Sequence, residues 1–273
     1  MLGKPALPSI NLDKTPMLLK IFRETSAVVQ VEILKLKRDP FELFSRAVQP
    51  LLWLLVFGKV MAQVKGVAEN EIDYLSFLAP GILAQSLLFS SIFYGISIIW
   101  EKDLGVVHKL LVSPAFTFSL VLGKAMAASF RGISQAVIVY LASFLIGVKV
   151  SWSFSSILGV VGLVILSSGL FSTFSLIIAC LVKTRERFMG IGQLLSMPLF
   201  FASNAVYPLS LMPPVIKFLA QLNPLTYLVD ALRYFMIDSG APEHSMIWNF
   251  GILVVFFGLF LYIATRLYPG IIR

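Results

Sequence analysis

The chain has 273 residues, of which 58% are hydrophobic and only 13% charged, with a mean hydropathy of +0.89. Globular chains carry about 45–50% apolar and about 25% charged residues, so these proportions exclude a soluble domain. In such a chain the net charge of +8 does not point to nucleic acid, because Lys and Arg mark the cytoplasmic loops of membrane proteins.

Residues 1–15 read as a short flexible arm with no apolar run of the kind a cleavable signal peptide needs, so the first span directs insertion. Thr15-Pro16 reads as an N-cap followed by proline at the first helical position. From there Leu18, Phe22, Val29, Ile33 and Leu36 recur at helical spacing, with Lys20, Arg23, Glu32, Lys35, Lys37 and Arg38 on other faces. Asp39-Pro40 stops the helix, since the residue before proline disfavours helical dihedrals. A basic amphipathic helix before the first span lies in the membrane interface; the alternative is a solvated helix packed on a partner.

The expected fold is an all-α integral membrane protein of six transmembrane helices. It comprises the 1–40 arm and amphipathic helix and a membrane domain over 41–273. Spans are predicted at 44–64, 74–99, 117–147, 153–182, 188–207 and 246–267, each near the roughly 20 residues that cross a hydrocarbon core. Arg46 and Lys59 flank the first, where long side chains snorkel; Pro80-Gly81 interrupts the second, as membrane helices tolerate when neighbours satisfy the freed carbonyl. The stretch after the fifth span is too apolar for an ordinary loop. Pro208, Pro213 and Pro214 end that span, and Asn223-Pro224 breaks the chain again. The segment 208–237 therefore reads as a re-entrant helical hairpin on the outer side before the last span, with Asp230 and Arg233 meeting at i,i+3 spacing. The alternative for that pair is an exposed couple at the membrane surface.

With the N-terminus inside, the inner segments 1–46, 101–124, 183–187 and 266–273 hold 8, 3, 3 and 2 Lys and Arg. The outer segments 59–73, 148–152 and 208–245 hold 2, 1 and 2, and Arg131 completes the 22. The positive-inside rule then places both termini in the cytoplasm of a multi-pass protein of the cell (inner or plasma) membrane.

Chemistry within the chain is sparse. His108 and His244 are predicted on opposite sides of the membrane and build no metal site. Gly58-Lys59 and Gly123-Lys124 lack the upstream glycine and following hydroxyl residue of a phosphate-binding loop. No serine sits in a Gly-x-Ser-x-Gly elbow, and the single cysteine, Cys180, reads as a small hydrophobe. The predicted spans contain no Asp or Glu, which argues against proton or sodium coupling. Arg131 is the one interior charge, either an interfacial anchor or a pairing partner for a neighbouring helix.

Two stretches carry a family signature. One is Glu101-Lys102-Asp103-Leu104-Gly105 through His108-Lys109-Leu110-Leu111-Val112-Ser113-Pro114, with Leu122-Gly123-Lys124 after it. The other is Tyr207-Pro208-Leu209 and Met212-Pro213, then Asn223-Pro224-Leu225-Thr226-Tyr227-Leu228-Val229-Asp230-Ala231-Leu232-Arg233. Both resemble the type-2 permeases of ATP-binding-cassette exporters, particularly the daunorubicin-resistance and nodulation-factor branch, over nearly the whole chain. Ser203-Asn204 stands where that family commonly has Ser-Gly.

The resemblance implies a homodimer docked on two copies of a cytoplasmic ATPase subunit that carries the ATP and Mg, with no cofactor or catalytic residue in this chain. The partners are thus the ATPase, a second copy and membrane lipids. A hydrophobic or amphipathic substrate, such as a drug, lipid or glycolipid, would leave by alternating access; polysaccharide or lipid-linked glycan export is the alternative, and an ATP-independent channel or carrier a more remote one. The resemblance also makes 101–115 a coupling segment, with polar contacts from Glu101, Lys102, Asp103, His108 and Lys109, close approach at Gly105, and Pro114 ending the helix; a plain solvated loop is the alternative. It makes Pro208, Pro213, Asn223, Pro224, Tyr227, Asp230 and Arg233 part of an external gate.

Overall fold

The computed structural model describes residues 16–38, 41–63, 71–238 and 242–272. The predicted arm, the Thr15 cap, the Asp39-Pro40 stop and parts of the 59–73 and 208–245 segments lie outside the described residues.

The described residues are almost wholly helical. Helix α1 spans Met17–Arg38, α2 Phe41–Leu52 and α3 Lys59–Ala62, with a π-helical turn at Trp53–Gly58 joining the last two. Then come α4 (Glu71–Asp103), α5 (Val106–Val112), α6 (Thr117–Leu145), α7 (Phe154–Leu181), α8 (Arg185–Phe201), α9 (Pro214–Leu222), α10 (Pro224–Met236) and α11 (Met246–Leu267). A 3-10 turn over Tyr268–Ile272 closes the described chain.

Among the described residues, four helices are long and apolar enough to cross a membrane: Tyr74–Asp103, Thr117–Leu145, Phe154–Leu181 and Met246–Ile271. The expectation of six is corrected. The predicted first span is broken: its apolar part, Val48–Ala62, is a shorter helix interrupted by the π turn. The predicted fifth is α8, 17 residues with Arg185, Glu186 and Arg187 in its first turn. Its charge-free part covers only about 21 Å of a roughly 30 Å core.

Helix α4, with 33 residues, is the axis of the bundle. It packs on α6, α7, α8 and α10 and on the 41–62 unit, while α11 lies against α7 and α10. Leu78, Ile82, Leu83, Leu87, Leu88 and Ile92 of α4 are all fully buried. Lipid tails are as apolar as leucine, so helices here associate through small residues and close packing rather than hydrophobic exclusion. A Cβ on Gly95 would overlap the Ser175 hydroxyl, and one on Gly132 the Ser168 hydroxyl, where α4 and α6 press on α7. Ser175 donates to the Ile92 carbonyl of α4 at 2.5 Å.

Gly81 is tighter still. A Cβ there would collide with backbone, the Ala205 carbonyl, in the turn that follows α8. Gly81→Ala is expected to cost about 1–3 kcal/mol by overpacking. Gly162→Ala, on α7 with nothing within 4 Å, is expected to gain up to about 1 kcal/mol from helix propensity. Melting the two variants side by side checks this, and equal shifts would refute it.

The expected re-entrant hairpin is also corrected. Helices α9 and α10 do not fold back on one another; their contact is confined to the corner at Asn223. Helix α9 leaves Val215, Phe218, Leu219 and Leu222 exposed, whereas α10 runs inward against α4, α7 and α11 with 224–233 entirely buried. Its end is tied to the α6–α7 turn by a single antiparallel bridge between Val150 and Ile237.

Candidate functional site

The polar stretch after α4 folds as a short helix, α5. Gly105 has φ +71°, the left-handed region that glycine enters without steric cost. That residue reverses the chain out of α4 and starts α5. Ser113, extended ahead of Pro114 at ψ 153°, ends it, and the Ser113 hydroxyl donates to the Leu110 carbonyl at 2.6 Å. Val107 points inward with no exposure, while Leu104, His108, Lys109 and Val112 face out. No atom lies within 4 Å of a Cβ placed on Gly105, so within this chain the glycine is required by its dihedrals rather than by space.

Glu101 is turned the other way. It is 7% exposed and forms the centre of an ion cluster joining α1, α4 and α6. Its carboxylate accepts from Lys35 at 2.5 Å and from Lys124 at 2.6 Å. Glu32 of α1 accepts from Lys35 at 2.8 Å and lies 3.7 Å from Lys124. Glu32 and Lys124 are each 3% exposed. Beside the cluster is a cavity of about 190 Å³ reaching Val28, Val31, Val106 and Leu110. Two acids and two bases neutralise one another, which is how buried charge is tolerated.

Burial by itself raises the Glu32 carboxyl, but the Lys124 charge and the Lys35 hydrogen bond outweigh it and bring the group from 4.5 to about 2. Lys35 is raised from 10.5: burial lowers it, and the hydrogen bonds it donates to Glu101 and Glu32 overcome that. A depressed acid contributes stability above its unfolded value and loses it as pH falls through the folded one. About 3 kcal/mol is therefore expected to be present above pH 4.5 and lost towards pH 2. Acid titration of the detergent-solubilised protein checks this, with Glu32→Gln removing the Glu32 share of that loss; an unaltered profile in the variant would refute it.

Helix α1 is fastened along this face. Glu24 accepts from the Phe116 amide at 3.0 Å, putting negative charge at the start of α6. Lys20 lies 4.7 Å from the Phe116 ring centroid, and Val28 fills the space over Gly123. The helix lies on the bundle itself, with Leu18, Phe22, Val31 and Leu34 still exposed. Asp103 reaches across to Arg185 at 2.6 Å, and that guanidinium sits 3.8 Å above the Trp100 ring. Lys102 is half-buried.

Further into the bundle Arg131 is 5% exposed, its guanidinium 4.6 Å from the Tyr94 ring centroid.

At the opposite end, Pro208 and Pro213 precede the 3-10 turn Leu209–Leu211 and α9. Asn223 caps α10, accepting from the Leu225 amide at 3.0 Å, and donates to the Leu199 and Ala202 carbonyls at 2.6 and 3.1 Å. It thus fixes the corner to the end of α8, with Pro224 at the first helical position. Tyr227 donates to the Gln221 carbonyl at 2.7 Å.

Asp230 and Arg233 do not pair. Asp230, with no exposure, accepts from the Glu243 and His244 amides at 2.7 and 2.9 Å and from Asn249 at 2.9 Å. It therefore ties α10 to the start of α11. Arg233 donates to the Asn204 carbonyl at 3.0 Å and the Phe77 carbonyl at 3.5 Å, and stacks 3.9 Å from the Phe77 ring. It serves a carbonyl one turn before Pro80-Gly81, where α4 is weakened.

Sequence reasoning missed Glu32, Lys35 and Lys124 as partners of Glu101. The available signal was Glu32 and Lys35 at i,i+3 in the basic C-terminal half of the helix.

Residues 23–237 match the family described as ABC-2 type transporter. The chain is 30% identical over 237 residues to the putative transport permease ycf38 of Cyanophora paradoxa, covering 85% of this chain and 81% of that one. It is 26% identical over 224 residues to the inner membrane transport permease YadH of Escherichia coli, covering 79% and 82%. To nodulation protein J of Bradyrhizobium diazoefficiens it is 24% identical over 206 residues, covering 75% and 77%. The match runs from α1 through α10, taking in the ion cluster, α5 and the buried α10. This chain belongs to the ABC-2 type transporter family, as a non-catalytic membrane permease.

Proposed function

We propose that this chain is the permease of an ATP-driven exporter, working as two copies on two separate cytoplasmic ATPase subunits and moving a hydrophobic or amphipathic substrate outward. The observation that carries the reading is α5. A seven-residue helix leaves the end of α4 through a left-handed glycine, presents His108, Lys109 and Val112 outward beside the exposed Leu104 of the preceding turn, and is backed by the ion cluster. A force on α5 is thereby passed to α1, α4 and α6 together. The same end of the bundle carries Lys102, Lys109, Lys124, Lys183, Arg185 and Arg187, which supports placing it, and both termini, in the cytoplasm. Likeness to nodulation protein J and the 223–233 motif support the drug-resistance and nodulation-factor branch.

Gly105→Val tests the coupling role. A β-branched residue in left-handed geometry is strained by about 1–2 kcal/mol, yet its side chain meets nothing in this chain. Membrane insertion is expected to be retained and melting to fall only by an amount matching that strain, while ATPase co-purification and ATP-driven transport fall at least tenfold, about 1.4 kcal/mol. Normal transport with wild-type affinity for the ATPase would refute the reading.

A further inference from the structure

The turn between α7 and α8 is held against the end of α4. Arg185 donates to Asp103 at 2.6 and 3.1 Å, and its guanidinium lies 3.8 Å from the Trp100 ring centroid. Asp103 ends α4 and α5 begins at Val106, so this clasp sets the 182–187 turn beside the start of α5. Two segments far apart in sequence thereby share one surface. His108 and Lys109 are exposed on α5, and Lys183 and Arg187 on the turn.

The surface carries positive charge that the chain does not neutralise. Lys109, Lys183 and Arg187 form no ion pair among the described residues. Of the exposed acids beside them, Asp103 is taken by Arg185, which leaves Glu186. Leu104 and Val112 stand among these cations 71% and 76% exposed. Apolar anchors rimmed by charge of one sign suit a protein docking face, where the anchors hold and the charge steers the approach.

Lipid headgroups are the other acidic surface a membrane protein meets. The Tyr74–Asp103 span has 30 residues and α7 has 28. Their lengths, about 45 and 42 Å, match a bilayer with both headgroup layers included. Helix α5 and the turn after α7 therefore stand at the aqueous edge, facing a soluble partner.

We propose that α5 and the 182–187 turn form one basic docking face for an acidic surface on the ATPase partner. The inference rests on the exporter reading and adds to it a second point of attachment and the charge of the surface it meets.

The test uses the full chain, tagged and purified with its ATPase, which is then released and rebound to the chain in nanodiscs while association is timed. Raising NaCl from about 0.05 to about 0.5 M is expected to slow association about tenfold, since screening weakens steering. The Lys183→Glu, Arg187→Glu double variant should slow it about tenfold at low salt and flatten the salt dependence. Lys217→Glu, exposed at the opposite end on α9, should leave the rate unaltered. The same results are expected in nanodiscs of phosphatidylcholine alone and of phosphatidylcholine with phosphatidylglycerol. A rate indifferent to salt, a rate unaltered by the double reversal, equal slowing by Lys217→Glu, or effects that vanish without phosphatidylglycerol would each overturn the docking face while leaving the exporter reading intact. Failure of any ATPase to accompany the unaltered chain would sink both.

Discussion

Lys124→Ala is expected to lower stability by about 3–5 kcal/mol, the usual cost of removing one partner from a buried ion pair. Lys124 is 3% exposed and lies 2.6 Å from Glu101 and 3.7 Å from Glu32. Without it two buried carboxylates keep only Lys35, whose side chain is 46% exposed. Lys35→Ala leaves Lys124 in place between both acids and removes a partly solvated charge, so about 1 kcal/mol is expected. Denaturant unfolding in micelles, followed by tryptophan fluorescence, distinguishes the two. Equal losses in the variants, or a loss under 1 kcal/mol for Lys124→Ala, would show that the cluster does not hold α1, α4 and α6 together.

Asp230→Ala is expected to cost about 3 kcal/mol or more. A hydrogen bond to a charged group contributes about 1.5–3 kcal/mol, and this carboxylate accepts three, from two backbone amides and Asn249. The Asn249 amide nitrogen is left buried with no acceptor. Asp230→Asn retains part of the pattern and is expected to lose about half as much. Hydrogen exchange at Glu243 and His244 should quicken in the Ala variant.

The long helices α4, α6, α7 and α11 were readable because each is a long, mostly apolar run bounded by charge or a turn. Their observed ends fall within a few residues of the predicted ones. The two failures share a cause, since hydropathy reports an apolar run and not its conformation. Residues 202–207 are mostly apolar but form a turn after α8, and Val48–Ala62 hides a π turn behind an even string of hydrophobes. In the 208–237 segment the breaks at Pro213 and Asn223-Pro224 were visible as local chemistry. The direction of α10 was not, because it is set by Asn223 bonding to Leu199 and by packing against α4 and α7.

The candidate sites divide in the same way. Gly105 and Pro114 announce the ends of α5 through their own dihedral limits. Glu101 looks like a surface acid beside Lys102 and Asp103, and only tertiary structure reveals partners 66 and 23 residues away. Asp230 and Arg233 likewise have an attractive local geometry that loses to distant partners, since each finds a fuller set of hydrogen bonds across the bundle.

The π turn at Trp53–Gly58 bears on length variation. A turn closed by i→i+5 bonds accommodates about one residue more than an α-helical turn. Loss of one residue within 53–58 would therefore relax that stretch to α geometry and leave Arg46 and Gln49 on one side, and Lys59 on the other, in nearly unchanged rotational phase. Loss of a residue elsewhere in the same helix would swing every following side chain by about 100°. The segment is thus the one place where this helix can shed a codon and keep facing α4.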